Sequence, residues 1–192
     1  MAGFYDEHAT RYFSTTREAD MMPLRARFLA HFPVAGRILD AGCGSGRDTR
    51  AFLDAGYAVE AFDGSAPLAE LAGSLIGQPV RVLDFRQADW RAEFDGVWAC
   101  ASLLHVPWAE LPGVVGRLVA ALRSGGVLYM SFKHGRGERV AGDGRFFLDL
   151  DEAGLDELLA AVPGLALIEC WRSPDQLGGD RPDWFNALAR KV

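Results

Sequence analysis

Three glycines at alternating positions, Gly42, Gly44 and Gly46, constrain this chain more than any other feature. They follow the short apolar run Arg37-Ile38-Leu39-Asp40-Ala41 and precede residues 47–55, where Thr49, Phe52 and Leu53 fall at helical spacing before Gly56. A buried-type strand therefore enters a sharp turn and leaves as a helix. Glycine serves such a turn because it takes backbone conformations closed to other residues and lets a ligand approach the main chain. The third glycine comes one position too early for the dinucleotide-binding pattern, whose last slot is Arg47 here.

The same alternation of strand and helix runs along the chain. Residues 1–19 mix Phe4, Tyr5, Tyr12 and Phe13 with charges and predict a short amphipathic helix or flap. Pro23 opens a helix through Leu24, Phe28, Leu29 and Phe32, which Pro33 stops. Strands are expected at 37–41, 57–62, 80–83, 96–100 and 127–132. Helices are expected from Ser65 and Pro67 through Leu75, at 110–123, and through Leu155, Leu158, Leu159 and Val162 behind a cap at Asp149 or Asp151. Residues 133–145 are polar and glycine-rich and predict a loop. Two last strands, 165–171 and 184–189, are joined by a Pro/Gly/Asp-rich connection without a helix, so one of them runs against the rest. This pattern predicts an α/β chain with a doubly wound, seven-stranded, mostly parallel sheet and one antiparallel strand. Its ligand should lie beyond the carboxyl ends of the strands. No repeat or linker divides the chain, so 1–192 reads as one domain: a helical flap at 1–35, a binding core at 36–132 and the rest of the sheet at 133–192.

Composition narrows the partners. The 192 residues are 49% hydrophobic and 24% charged, a normal balance for a folded globular protein. Twenty basic against twenty-six acidic residues leave a net charge of −6, which argues against a nucleic-acid backbone as partner. No apolar run approaches the ~20 residues that span a bilayer, and the first residues lack a signal-peptide pattern. Cys43, Cys100 and Cys170 lie far apart, with neither disulfide nor metal-site spacing. The expectation is a soluble, cytoplasmic protein with no metal and no membrane contact. Nothing in the sequence sets an oligomeric state.

Asp40 discriminates among ligands. A carboxylate two residues ahead of the first glycine repels a pyrophosphate and suits a ligand that is cationic there. S-adenosylmethionine carries a sulfonium, an ammonium and no phosphate. Asp63, nineteen residues beyond Gly44 at the end of the second strand, stands where a carboxylate accepts two hydrogen bonds from a ribose diol. The block from Asp40 to Gly46 resembles motif I, D-x-G-x-G-x-G, of the class I S-adenosylmethionine-dependent methyltransferases. Phe94 to Pro107 resembles that family's fourth strand and following turn, and Arg123 to Leu128 resembles its boundary before the fifth strand, with Ser124 in place of the usual proline. The flanks resemble, more loosely, the bacterial small-molecule enzymes described as tellurite-resistance-like.

The resemblance implies a Rossmann-like methyltransferase fold, S-adenosylmethionine as cofactor with S-adenosylhomocysteine as product, and a small-molecule acceptor. It also implies cofactor contacts from Asp40, Ala41, Gly42, Gly44, Gly46 and Arg47 at the first turn. Asp63, Gly64 and Ser65 follow at the second, Asp84 and Phe85 at the third (with Gln87 and Asp89 competing for the adenine), and Ala101 after the fourth strand. Arg11 and Tyr12 of the flap are placed over the methionine end. The turn 99–102 lacks the Asn/Asp-Pro-Pro-Tyr pattern of base-amino methylation, and no cysteine follows a proline as a cytosine-C5 nucleophile would. His105 is the candidate general base, with a packing or capping role as its alternative. Trp108 could line a substrate pocket. Lys133, His134, Arg136 and Arg139 form either a solvated connection or a gate for an anionic substrate. Two other functions compete: a non-catalytic module that binds the cofactor, and, less favoured by Asp40 and the glycine spacing, a nicotinamide-dependent oxidoreductase.

Overall fold

The computed structural model describes residues 2–32, 35–175 and 182–192. The expected helix stop at Pro33 and most of the connection before the last strand fall outside them. The described strands are β1 (Arg37–Ala41), β2 (Ala58–Asp63), β3 (Arg81–Val82), β4 (Phe94–Ala99), β5 (Leu122–His134), β6 (Gly137–Val140), β7 (Phe146–Leu150), β8 (Leu165–Ser173) and β9 (Trp184–Lys191). The helices are α1 (Ala2–Thr16), α2 (Met22–Leu29), α3 (Arg47–Asp54), α4 (Ala66–Ile76), α5 (Leu111–Ala121) and α6 (Glu152–Ala161).

Strands pair in the order β3-β2-β1-β4-β5-β9-β8, and in that run only β9 is antiparallel to its neighbours. These are the seven strands expected. The loop expected at 133–145 is instead a hairpin, β6–β7, and it adds a second reversed strand, since β6 runs antiparallel to β7. β7 docks in parallel on the carboxyl end of β5, pairing Asp149 with Lys133 and Leu150 with His134. Of the glycines that read as a loop, Gly142 and Gly144 belong to its turn, where Ala141 N–H donates to Arg145 O at 2.8 Å and Gly144 N–H to Ala141 O at 2.9 Å. Arg139 and Asp149 form an ion pair across the two strands.

Both sheet faces are covered, because neighbouring residues of a strand point oppositely. Ile38, Trp98 and Tyr129 pack on one face with Phe28 of α2 and Phe52 of α3. Leu39, Val97 and Leu128 face the other way, against Leu111, Val114 and Leu118 of α5 and Leu155 and Leu158 of α6. Each such burial stabilises by about 1.5–3 kcal/mol. Gly96 is required for α2 to seat, since a Cβ there would lie 2.5 Å from Phe28 Cζ. Asp151, rather than Asp149, caps α6, accepting from Gly154 N–H at 2.8 Å. Among the described residues no helix is long and apolar enough to cross a membrane.

Candidate active site

The turn after β1 opens into a cavity of about 590 Å³ at the carboxyl ends of the strands. Asp40, Gly42, Gly44 and Arg47 stand on its wall with Tyr12, Ala101 and His105. Gly42 and Gly44 have φ of +77° and +55°, in the left-handed region. A Cβ at Gly42 would lie 2.6 Å from Ser102 Cβ, and one at Gly44 would lie 3.3 Å from Tyr12 Cε1. Bare backbone therefore forms this wall. Ala101, also at positive φ (52°), donates its N–H to Ser131 Oγ at 2.8 Å, and Ser102 Oγ donates to Ala41 O at 2.7 Å. These bonds fix the β4 turn against the glycine turn.

Two buried carboxylates of the wall have opposite characters. Asp48 accepts from Arg25 Nη1 and Arg47 Nη2, each at 2.7 Å, and from Trp98 Nε1 at 3.0 Å. Burial alone would push its carboxyl up, but the two guanidiniums hold it below the usual range. Asp40 has one partner hydroxyl, Thr49 Oγ1 at 2.6 Å. Burial, and then the charge of Asp48, push Asp40 up to about 7. The site thus holds a carboxylate that a cation would complete. Asp48 carries no weight in the sequence reading, because two of its three partners, Arg25 and Trp98, lie far away along the chain.

Other expected contacts lie off the cavity wall. Asp63 Oδ2 accepts from Gly44 N–H at 2.8 Å and its Oδ1 from Ser65 N–H at 2.9 Å, leaving lone pairs on both oxygens. Ser65 caps α4 and donates its hydroxyl to Asp6 of α1 at 2.6 Å. Gly64 follows with open space around its Cα. Gly46 packs on Ala72 of α4, and the buried Ala41 contributes its carbonyl to Ser102. Phe85 reaches Gly42 and stands edge-on to Phe62 at 5.2 Å. Asp84 is half-exposed, caps the 3-10 turn at Phe85–Gln87 and pairs with Arg86. Arg11 is corrected: it is exposed on the α4 side of α1. Consecutive helical residues point about 100° apart, so Tyr12 excludes Arg11 from the cavity.

The far half of the cavity comes from segments that carry no motif. Tyr5 of α1, Phe147 and Arg145 of the hairpin region, and Trp171, Trp184 and Asn186 of β8 and β9 line it. Asn186 is fully buried and accepts from Tyr129 Oη at 2.7 Å. Lys133 donates to Asp175 at 2.6 Å and lies 3.8 Å from the Trp184 ring centre. Of the four basic residues expected in a loop, Lys133 and Arg139 line the cavity. Arg136 pairs with Asp151 and Glu157 at the surface, and His134 sits beside Phe185 at the end of β5. Trp108 packs against the larger core and is not on the cavity wall.

His105 has both ring nitrogens engaged. Nδ1 lies 2.8 Å from Phe146 O, and a carbonyl only accepts, so Nδ1 carries the proton. Nε2 is then the lone pair that accepts from Tyr5 Oη at 2.7 Å. Burial pushes the ring pKa down to about 4. An imidazole with both positions filled does not reach an acceptor directly. Among the described residues no group of three His, Cys, Asp or Glu side chains could hold a metal ion.

Comparison with known proteins follows this geometry. Residues 38–126 match a family described as methyltransferase domain. A 1,6-didemethyltoxoflavin-N1-methyltransferase from Burkholderia thailandensis, crystallised with 1,6-didemethyltoxoflavin and S-adenosylhomocysteine, is 30% identical over 96% of this chain and 83% of its own, with a TM-score of 0.78. The DhpI–S-adenosylhomocysteine complex is 25% identical over 99% of this chain and 94% of its own, at 0.70. A Methanosarcina mazei S-adenosylmethionine-dependent methyltransferase, 18% identical over 90% of this chain and 99% of its own, shares the fold at 0.74. A search of curated proteins found no significant match. The chain belongs to the S-adenosylmethionine-dependent methyltransferases and is an enzyme that uses S-adenosylmethionine as methyl donor. The alternatives of a non-catalytic module and a nicotinamide-dependent oxidoreductase are thereby closed.

Proposed function

We propose that the enzyme methylates a small, flat acceptor held in the aromatic half of the cavity, next to the glycine turn. The observation that carries this reading is the continuity of the two halves: one cavity of about 590 Å³ runs from Asp40 and Gly44 to Trp171 and Trp184. A volume of that order suits a drug-sized ligand, not a polymer. A net charge of −6 supports the same exclusion of nucleic acid. The Burkholderia thailandensis relative, by its name, methylates N1 of its acceptor, which supports a nitrogen heterocycle as the class to try first.

The bare backbone at Gly42 and Gly44 and the incompletely partnered Asp40 fit the cofactor. Asp40 would face its cationic amino-acid end, Asp63 its ribose, and Phe85 its adenine, with Asp84 placed too far into solvent for a large share. When bound, S-adenosylmethionine supplies a methyl group already activated by its sulfonium. The chain's own residues then have to orient the acceptor, exclude water and receive a proton. Orientation alone can supply several kcal/mol of the barrier, up to about 7–11 in ideal cases. Tyr12, fixed over Gly44, and α1, tied by Asp6 to Ser65 and by Thr16 O to Arg47 Nη1, close the cofactor side. We treat residues 1–192 as one catalytic domain and place it in the cytoplasm, where its three disulfide-free cysteines would stay reduced. The tellurite-resistance-like reading of the flanks rests on their sequence alone.

The test is a screen of flat nitrogen and oxygen acceptors with methyl-labelled S-adenosylmethionine. The expected result is acceptor-dependent formation of S-adenosylhomocysteine and a labelled small product. Label passing only to nucleic acid or protein would overturn the reading.

A further inference from the structure

We propose that Tyr5 is the catalytic residue that takes the acceptor's proton, and that His105 is the positioning residue behind it that orients the phenol and receives the phenolic proton. The proposal rests on the reading above that a small acceptor occupies the aromatic half, and it narrows that acceptor to a nitrogen or oxygen that bears a hydrogen.

Four observations carry it. Tyr5 stands on the cavity wall, edge-on to Tyr12 at 5.1 Å between ring centres, and Tyr12 covers Gly44. The Nδ1–H bond to Phe146 O leaves Nε2 as a lone pair that accepts the Tyr5 O–H, which holds the phenol in one orientation. Its oxygen keeps lone pairs, one of them engaged by Arg145, and Tyr5 lines the cavity, where an acceptor would meet the other. His105 itself is filled at both nitrogens and packs against Phe147 at 5.1 Å, so any proton it takes must come through Tyr5.

With the methyl on the acceptor heteroatom, its bond to hydrogen breaks toward Tyr5 Oη and the bonding pair stays on the heteroatom. The Tyr5 O–H proton passes to Nε2, whose lone pair forms the new N–H bond. The products are a neutral methylated acceptor, a neutral Tyr5 and an imidazolium, which returns its proton to water when the product leaves. The charged groups that bear on the pair are Arg145, which stacks on Phe4 and Phe147, Asp143, which pairs with Arg145, and Asp63, whose charge reaches Tyr5. Burial keeps the imidazole pKa near 4, so His105 is too weak to ionise a neutral acceptor beforehand. It is strong enough to take a proton from a strongly acidic methylated cation, an oxonium or a ring N–H of amide or azole type, and not from an alkylammonium. Proton loss therefore follows methyl transfer.

The experiment has two arms. Long-range proton–nitrogen NMR on nitrogen-15-labelled enzyme loaded with S-adenosylhomocysteine reads the His105 tautomer without any acceptor. Nδ1–H with a bare Nε2 at pH 7, and a shift of the Nε2 resonance in Tyr5→Phe, are expected. A proton on Nε2, or a charged ring at pH 7, would overturn the proposal. In the second arm, Tyr5→Phe and His105→Gln are assayed with an acceptor from the screen. Glutamine can accept the Tyr5 O–H but cannot take its proton, which separates the proton path from packing. Both variants should lose about 10²-fold in kcat, with acceptor KM changed by less than about threefold and S-adenosylhomocysteine affinity intact. Near-normal kcat in either would refute the path. A screen that finds no acceptor breaks the reading above and leaves the tautomer to decide this one.

Discussion

The two halves of the cavity are built by different means. The cofactor half is centred on backbone: a strand end, left-handed glycines and the start of helix α3 lie within ten residues of sequence, Asp40 to Thr49, and Asp63, Phe85 and Tyr12 join them from the next two strand ends and α1. The acceptor half is side chains, brought from α1, the β6–β7 hairpin and β8–β9, with Tyr5 meeting His105 one hundred residues away. Backbone recognition needs glycine at fixed positions and so writes a local pattern. Side-chain recognition by distant segments writes none, and can change its ligand without disturbing the turn.

This contrast can be broken first on the cofactor side. Gly42→Ala places a methyl 2.6 Å from Ser102 Cβ at a φ of +77°. Overpacking and strain together amount to about 3 kcal/mol of stability, and a shift that relieves them displaces the backbone the cofactor meets, so calorimetry should find weaker S-adenosylhomocysteine binding, by up to about 100-fold. Replacing Ser102 by glycine in the same chain should recover part of it. Unchanged affinity would mean that the turn does not hold the cofactor. Asp63→Ala removes a carboxylate facing a diol and should cost about 1.5–3 kcal/mol, or about tenfold to a hundredfold in affinity.

A third prediction concerns pH. Asp40 is held up to about 7 in the empty protein by burial and the Asp48 charge. Its ionised form is the one that a cation binds, so binding releases a proton wherever Asp40 is still protonated. Affinity should therefore rise with pH, by up to about tenfold per unit below about 7, and level off above it. Asp40→Asn should flatten that slope in a calorimetric titration series, and a slope that survives would assign the proton elsewhere. The smallest effect sharpens the other half. Trp171→Ala should leave S-adenosylhomocysteine affinity within about twofold and raise acceptor KM about fivefold, the loss of one aromatic contact.

How much of this was legible follows the same division. Asp40 to Gly46 declared its turn because glycine takes left-handed conformations at little cost and leaves the backbone bare, so three at alternating positions mark it. The seven strands followed from alternation, and a reversal in the last pair followed from the missing helix between them; the strand order, and that β9 is the reversed one, appear only in the fold. The hairpin at 137–150 was not legible, since a glycine-rich charged stretch composes a loop and a tight turn equally well. His105 was visible as a residue, but its engagement was not, because Phe146 O and Tyr5 Oη reach it only after folding. Arg11 and Tyr12 were inseparable in sequence and are separated by helix geometry alone.

The most direct test of the bipartite site is a crystal structure of the enzyme with S-adenosylhomocysteine. The account predicts the amino-acid end against Asp40 and Gly44, ribose hydroxyls on Asp63, and the sulfur directed toward Tyr5 and the aromatic half. A ligand bound away from the glycine turn, or a sulfur facing away from Tyr5, would contradict it.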